Sequence, residues 1–119
     1  MRKNKSFAQS VKCAVIGAIK AFRRERNFLI YLIIIAITIP INIWVQVSET
    51  QILILLICIC GAFSSECLNT AIEKLCDKIE KEYCEAIRYI KDVAAAAVLW
   101  WGIAYFGTEI ILVLEKLLG

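Results

Sequence analysis

Hydrophobic residues are concentrated in three long blocks of the chain, with polar and charged residues between them. The blocks cover residues 28–47, 52–76 and 93–115. A helix rises about 1.5 Å per residue, so roughly 20 apolar residues cross a hydrocarbon core of about 30 Å. Each block is long enough for this, and the pattern predicts three transmembrane helices.

The segment before the first block has a different pattern, that of an amphipathic helix. Between residues 5 and 24, apolar side chains recur at intervals of three and four residues: Phe7, Val11, Ala14, Val15, Ala18 and Phe22. Most basic and polar side chains of this segment take other directions, which is typical of a helix lying in the membrane interface. We therefore expect residues 1–26 to form a surface helix, and the chain 1–119 to be one all-α integral-membrane domain.

The composition excludes an ordinary soluble domain. Hydrophobic residues make up 61% of the 119 residues, which is more apolar surface than a chain of this length could bury in a core. The six cysteines show no metal-ligand spacing and the chain has no histidine, so neither a zinc site nor a disulfide framework is expected. The composition therefore supports the assignment of membrane helices.

Basic residues are distributed unevenly along the chain. Eight of the fourteen Lys and Arg lie within residues 1–26 and four more in the connection 77–92, whereas the turn 47–51 has none. Because positive charge near the ends of spans marks the cytoplasmic side, we expect the N-terminus and the 77–92 connection in the cytoplasm. The basic N-terminal segment leads directly into a span, so its expected partner is the lipid surface rather than nucleic acid.

A seam of polar side chains runs along the second block. Glu66, Glu73 and Asp77 are spaced so that, at about 100° per residue, the latter two point within roughly 20° of Glu66, with Asn69 about 60° to one side. A carboxylate within a span is costly and is a functional-site hypothesis by default. Two carboxylates and an amide could also hold a divalent cation such as Mg²⁺ together with substrate phosphates.

Three interpretations of this seam stay open on spacing alone. Carboxylates that hold a metal, a cation such as Lys91 and a base such as Glu66 are the parts that phosphoryl transfer needs. The same seam could instead line the path of a small oligomeric transporter, with Glu66 as its proton- or cation-binding carboxylate. It could also be structural, binding helices together through hydrogen bonds.

A resemblance to a known family narrows these alternatives. The string Glu-Cys-Leu-Asn-Thr-Ala-Ile-Glu over residues 66–73 precedes Asp77 and Lys91-Asp92, and Glu-Arg-Asn-Phe over residues 25–28 comes before it. In this order, over residues 6–114, the chain resembles the prokaryotic diacylglycerol kinases. The resemblance implies a multi-pass lipid kinase of the bacterial plasma (inner) membrane, which transfers phosphate from ATP to a lipid alcohol and forms a homotrimer with sites shared between subunits.

The resemblance also implies roles for single residues. The residue matching Glu66 is the base that accepts the proton of the lipid hydroxyl, and those matching Glu25 and Glu73 hold the Mg²⁺ that is bound to ATP. Asn69 and Ala95 would lie beside them as supporting or substrate-contacting residues. The implied nucleotide-binding set is Glu25, Glu73, Asp77, Glu82, Tyr83, Cys84, Lys91 and Asp92.

The identity of the lipid rests on two short elements. Residues 25–28 and the string Asn-Thr-Ala-Ile-Glu over residues 69–73 are more similar to the undecaprenol-kinase branch than to the strict diacylglycerol branch. We therefore expect undecaprenol as the acceptor, with diacylglycerol as the alternative. The chain departs from the family at Tyr31 and Cys84, where members often have His, and at Ala96, where they often have Gly.

Overall fold

The computed structural model describes residues 6–80, 82 and 84–119, and nearly all of them are helical. The four helices are α1 (Phe7–Arg24), α2 (Arg26–Val45), α3 (Glu49–Ile79) and α4 (Glu85–Leu118). The last three are long and apolar enough to cross a membrane. The expected fold class, three spans after an N-terminal helix, is confirmed.

Two helices begin with the same hydrogen-bonding motif, a reciprocal pair of hydrogen bonds called a capping box. At α1 the Gln9 backbone N–H donates to the Ser6 hydroxyl over 3.2 Å, and the Gln9 side chain accepts from the Ser6 N–H over 3.0 Å. Ser48 and Gln51 repeat this at α3, over 3.2 and 2.8 Å. These bonds satisfy N–H groups that the first turn of a helix leaves without partners, so they set where α1 and α3 begin.

The ends of α3 and α4 extend beyond the apolar blocks that predicted them. α3 has 31 residues and α4 has 34, which at 1.5 Å per residue corresponds to about 45 and 50 Å, against a hydrocarbon core of about 30 Å. The Lys91–Asp77 ion pair joins the end of α3 to the start of α4, so these overhanging turns lie together at one end of the bundle. The assignment of that end to the cytoplasm stays a prediction.

The turn at the opposite end reverses the chain between α2 and α3. Gln46 has a left-handed backbone with φ of 62°, and its N–H donates to the carbonyls of Asn42 and Ile43. A left-handed residue at this point closes the last turn of a helix and redirects the chain. Pro40 lies inside α2 without ending it.

α3 and α4 form the most extensive helix contact, and a glycine permits their close approach. A Cβ atom at Gly61 would lie 2.5 Å from the Trp101 ring, a separation that would force the ring or the helix to move. In a membrane, where lipid is as apolar as the side chains, such close packing is a main source of helix association. Gly61 therefore fixes how near Trp101 of α4 comes to α3.

Replacing Gly61 by Ala is expected to lower the thermal midpoint of the purified protein in detergent, because the new methyl group would overlap Trp101; overpacking of this kind costs about 1–3 kcal/mol. Gly102→Ala is the matched control, since a Cβ there has no atom within 4 Å and alanine favours helix. Equal midpoints for the two variants would contradict the assigned contact.

Candidate functional site

Glu66 is the most deeply buried charged side chain of the described chain, with 3% of its surface exposed. Both of its carboxylate oxygens accept hydrogen bonds from α2. The Asn27 side-chain amide donates to Oε1 over 2.9 Å and the Tyr31 hydroxyl donates to Oε2 over 3.0 Å. The carboxylate is therefore held from two sides by groups of a neighbouring helix.

Asn27 and Tyr31 were not identified from the sequence as partners of Glu66. The sequence did contain a signal for these partners. Asn27 and Tyr31 are four residues apart and therefore lie on one face of a helix, where they form a polar patch at the start of an otherwise apolar span. The pattern of α2 alone could not show which helix that face meets. The structure answers this by placing it against α3.

A group of aromatic rings fixes α1 and α2 next to this carboxylate. Phe28 is fully buried, and its ring centroid lies 4.8 Å from that of Phe22 on α1 and 5.5 Å from that of Phe63 on α3. Tyr31 packs edge-on against Phe63 at 5.7 Å. Because Phe63 lies one helical turn before Glu66, this packing orients the Tyr31 hydroxyl toward the carboxylate.

One turn beyond Glu66, α3 presents a second polar pair. The Asn69 side-chain amide donates to Glu73 Oε1 over 3.2 Å, the i to i+4 arrangement that helices favour. Asn69 is 7% exposed, and its Oδ1 atom is buried without a hydrogen-bond partner. A buried amide oxygen that lacks a donor, next to an exposed carboxylate, is a suitable pair of ligands for a hard cation such as Mg²⁺.

Glu25, the other residue that was expected to bind Mg²⁺, lies at the junction of α1 and α2. Its carboxylate is 4.0 Å from the Lys74 ammonium on α3. Among the described residues, no group of three or more His, Cys, Asp or Glu side chains is close enough to hold a metal ion. A single chain therefore offers Glu73 and Asn69 together, with Glu25 bound to a lysine.

An ion pair connects the end of α3 to the start of α4, on the side of the bundle that is predicted to face the cytoplasm. Lys91 Nζ lies 2.7 Å from Asp77 Oδ1. Its hydrogen bond and charge lower the pKa of the Asp77 carboxyl, and the same contact raises the pKa of Lys91. Both groups lie outside the apolar blocks. Since exposed ion pairs contribute little to stability, Lys91 could exchange Asp77 for another anion at low cost.

The other predicted nucleotide-binding residues lie around the start of α4. Asp92 pairs with Arg88 one turn earlier, over 3.4 Å. Glu82 is exposed and its backbone N–H donates to Glu80, and Cys84 is half-buried at the first position before the helix. Tyr83 lies outside the described residues. Ala95 is exposed on α4.

Comparison with known families decides the class of this site. The family model described as prokaryotic diacylglycerol kinase matches residues 12–113, most of the chain. The chain belongs to the prokaryotic diacylglycerol kinase family. Neither the curated proteins nor the solved structures with which the chain was compared gave a match.

Membership of this family confirms the resemblance seen in the sequence. The match contains the polar seam of α3 and the other predicted site residues, from Glu25 to Ala95, and the family consists of membrane lipid kinases. Family membership supports kinase activity toward a lipid. It does not distinguish the undecaprenol branch from the diacylglycerol branch. The three apolar helices agree with a multi-pass membrane kinase.

The hydrogen bond between Tyr31 and Glu66 generates a test by double-mutant cycle. Tyr31→Phe removes the hydroxyl, and Glu66→Gln changes its acceptor. We expect the two substitutions to be coupled in the free energy of unfolding by about 0.5–3 kcal/mol, the range for residues in direct contact. Tyr89→Phe, at an exposed tyrosine of α4, should show no coupling to Glu66→Gln. Additive effects of Tyr31→Phe and Glu66→Gln would contradict the assigned coupling between the two side chains.

Proposed function

We propose that the protein catalyses the ATP-dependent phosphorylation of a membrane lipid alcohol, with undecaprenol as the preferred acceptor and diacylglycerol as the alternative. The observation that carries the proposal is the position of Glu66. This carboxylate is buried within a span, and Glu73 and Asp77 follow on the same helix toward its exposed end. A lipid hydroxyl and a water-soluble phosphate donor meet at such a boundary.

Glu66 is the proposed base, and its surroundings suit that role. The carboxylate accepts one hydrogen bond at each oxygen, while an ionised carboxylate can accept about four. Acceptor capacity therefore remains for the proton of a lipid hydroxyl. Asn27 and Tyr31 hold the carboxylate in one orientation, which reduces the reorganisation needed when the hydroxyl arrives.

The phosphate donor would be bound at the exposed end of α3. Glu25 and Glu73 are the proposed ligands of Mg²⁺, with Asn69 beside them, and the ion when bound neutralises charge on the transferring phosphoryl group. Lys91 would leave Asp77 to contact phosphate oxygens, because their ion pair is solvent-exposed. Asp92 and the 82–84 segment complete the proposed nucleotide contacts.

The proposed functional unit is a homotrimer with sites shared between subunits. Support comes from the single chain itself, in which the described residues form no cluster of three metal-ligating side chains. Much of the large apolar surface of α2, α3 and α4 is also exposed. Three spans are too few to enclose both ATP and a lipid, so a neighbouring subunit would supply the missing side of the site.

A transporter that uses Glu66 to bind protons or cations is the competing function. The matching family consists of lipid kinases, which is one argument against a transporter. The exposed polar groups at the end of α3 would also have no task in a transporter. These observations favour the kinase.

Activity assays can separate the acceptors. Purified protein in mixed micelles is offered Mg·ATP with undecaprenol and with diacylglycerol at equal mole fraction, and phosphate transfer is measured for each. We expect faster transfer to undecaprenol. Faster transfer to diacylglycerol would assign the alternative acceptor, and transfer to neither would favour the transporter.

Two substitutions on α3 should separate the base from the metal ligand. Glu66→Gln is expected to lower kcat by about 10²-fold or more, the effect of losing a general base, with Mg·ATP affinity near that of the unmodified protein. Glu73→Gln is expected to weaken Mg·ATP binding itself. Titration of Mg·ATP binding and steady-state kinetics measure the two effects.

Glu115→Gln is the control for this pair, since Glu115 is an exposed carboxylate at the far end of α4. Its kinetics and its Mg·ATP affinity should be unchanged. The assigned roles would be wrong if the Glu66 and Glu73 variants behaved alike, or if Glu66→Gln retained close to the full rate.

A further inference from the structure

A second buried carboxylate lies near the opposite end of the bundle and takes no part in the proposed kinase chemistry. Glu109 of α4 is 7% exposed. The Asn42 side-chain amide on α2 donates to Glu109 Oε1 over 3.0 Å. One turn toward the middle of the bundle, the hydroxyls of Thr38 and Tyr105 share a hydrogen bond. Together these four residues form a polar contact between α2 and α4, which we call the distal polar cluster.

Two oxygen atoms of this cluster lack hydrogen-bond donors. Asn42 Oδ1 and Glu109 Oε2 are both buried, and neither has a partner among the described residues. They belong to two side chains that are already joined through their other polar atoms. An amide oxygen and an ionised carboxylate oxygen can both only accept, so an ionised Glu109 would leave two buried acceptors unsatisfied.

No cation is in position to compensate a negative charge on Glu109. Among the described residues none of the Lys or Arg side chains forms an ion pair with it. α2 has no basic residue after Arg26, and α3 has none before Lys74. Lys116, two turns further along α4, lies 5.9 Å from the Trp44 ring.

The other titratable side chains at the cluster are a tyrosine and a cysteine, and neither residue type can supply a positive charge. From α4 the Tyr105 hydroxyl lies close to the Glu109 carboxyl, and from α3 the buried Cys58 packs near Tyr105. From α2 the uncharged side chains of Thr38 and Asn42 take part in the cluster. Burying an ionised carboxylate without a cation in such apolar surroundings costs free energy.

We propose that Glu109 and Asn42 form a proton-binding site in the distal half of the bundle. The proton resides on Glu109 Oε2 and is donated to Asn42 Oδ1, while the Asn42 amide donates to Oε1 as observed. One proton thereby satisfies both unpartnered oxygens and closes a ring of two hydrogen bonds between α2 and α4. This inference does not depend on the proposed kinase function.

Infrared spectroscopy tests the protonation state directly. The purified protein in lipid at neutral pH is compared with Glu109→Gln, and the difference spectrum is examined for the C=O stretching band of a neutral carboxylic acid. We expect that band in the unmodified protein, a shift of the band in D₂O, and its loss in Glu109→Gln. Glu115→Gln, which removes an exposed carboxylate, should leave the band in place. A difference spectrum that shows only carboxylate bands for Glu109 would overturn the proposal.

Thermal melting provides an independent readout. Glutamine offers an N–H and a C=O where neutral Glu109 offers an O–H and a C=O, so Glu109→Gln should melt within about 2 °C of the unmodified protein, a shift that corresponds to a small fraction of the total stability. Glu109→Leu leaves Asn42 without its partner and should melt lower. A midpoint for Glu109→Gln as low as that of Glu109→Leu would contradict the proposal, because a neutral side chain with a donor and an acceptor would then fail to replace Glu109.

The pH and salt dependence of melting distinguishes a proton from a metal cation. A glutamate in the unfolded chain releases its proton at about pH 4.3, whereas under the proposal the folded protein retains the proton at Glu109. The unmodified protein should therefore lose stability relative to Glu109→Gln as the pH rises above that value. Replacing choline by Na⁺ or K⁺ at constant ionic strength should have the same effect on both proteins. A midpoint that rises with Na⁺ or K⁺ only when Glu109 is present would mean that the site binds a metal cation, and the proposal would be wrong.

Discussion

Polar atoms inside an apolar bundle must find hydrogen-bond partners, because neither lipid nor apolar side chains can replace water. This constraint determines how α2 lies in the protein. Near one end its side chains Asn27 and Tyr31 donate to Glu66 of α3, and near the other its Asn42 donates to Glu109 of α4. The apolar faces of the helices could pack in many rotations, whereas these bonds are satisfied in one.

The two buried carboxylates illustrate how donor supply controls chemistry. Glu66 has a donor at each oxygen, an arrangement that stabilises negative charge and suits a base. Glu109 has a donor at one oxygen only, an arrangement that suits a neutral acid. The burial of the two residues is similar, so their different surroundings rather than their depth separate the proposed roles.

Much of the architecture follows from hydropathy alone, because a span must be apolar over a fixed length. The positions of the helix ends do not, since turns outside the hydrocarbon are polar and are set by local devices such as the Ser48 capping box. Partnerships between helices were also missed. Glu109 is a carboxylate within an apolar block, as Glu66 is, and the same reasoning could have identified it. Its pairing with Asn42 depends on the relative rotation of two helices, which no single-helix pattern encodes.

The continuity of α3 has a mechanical consequence. Glu66 and Glu73 lie seven residues apart on one unbroken helix, a fixed rise of about 10 Å. The helix therefore keeps the two carboxylates at a constant separation when the bilayer becomes thicker or thinner. A change in the tilt of α3 changes the depth of both carboxylates in the membrane, but it does not bring them closer to one another. Under the proposed function, a lipid alcohol is selected partly by whether its hydroxyl can reach the depth at which α3 places Glu66.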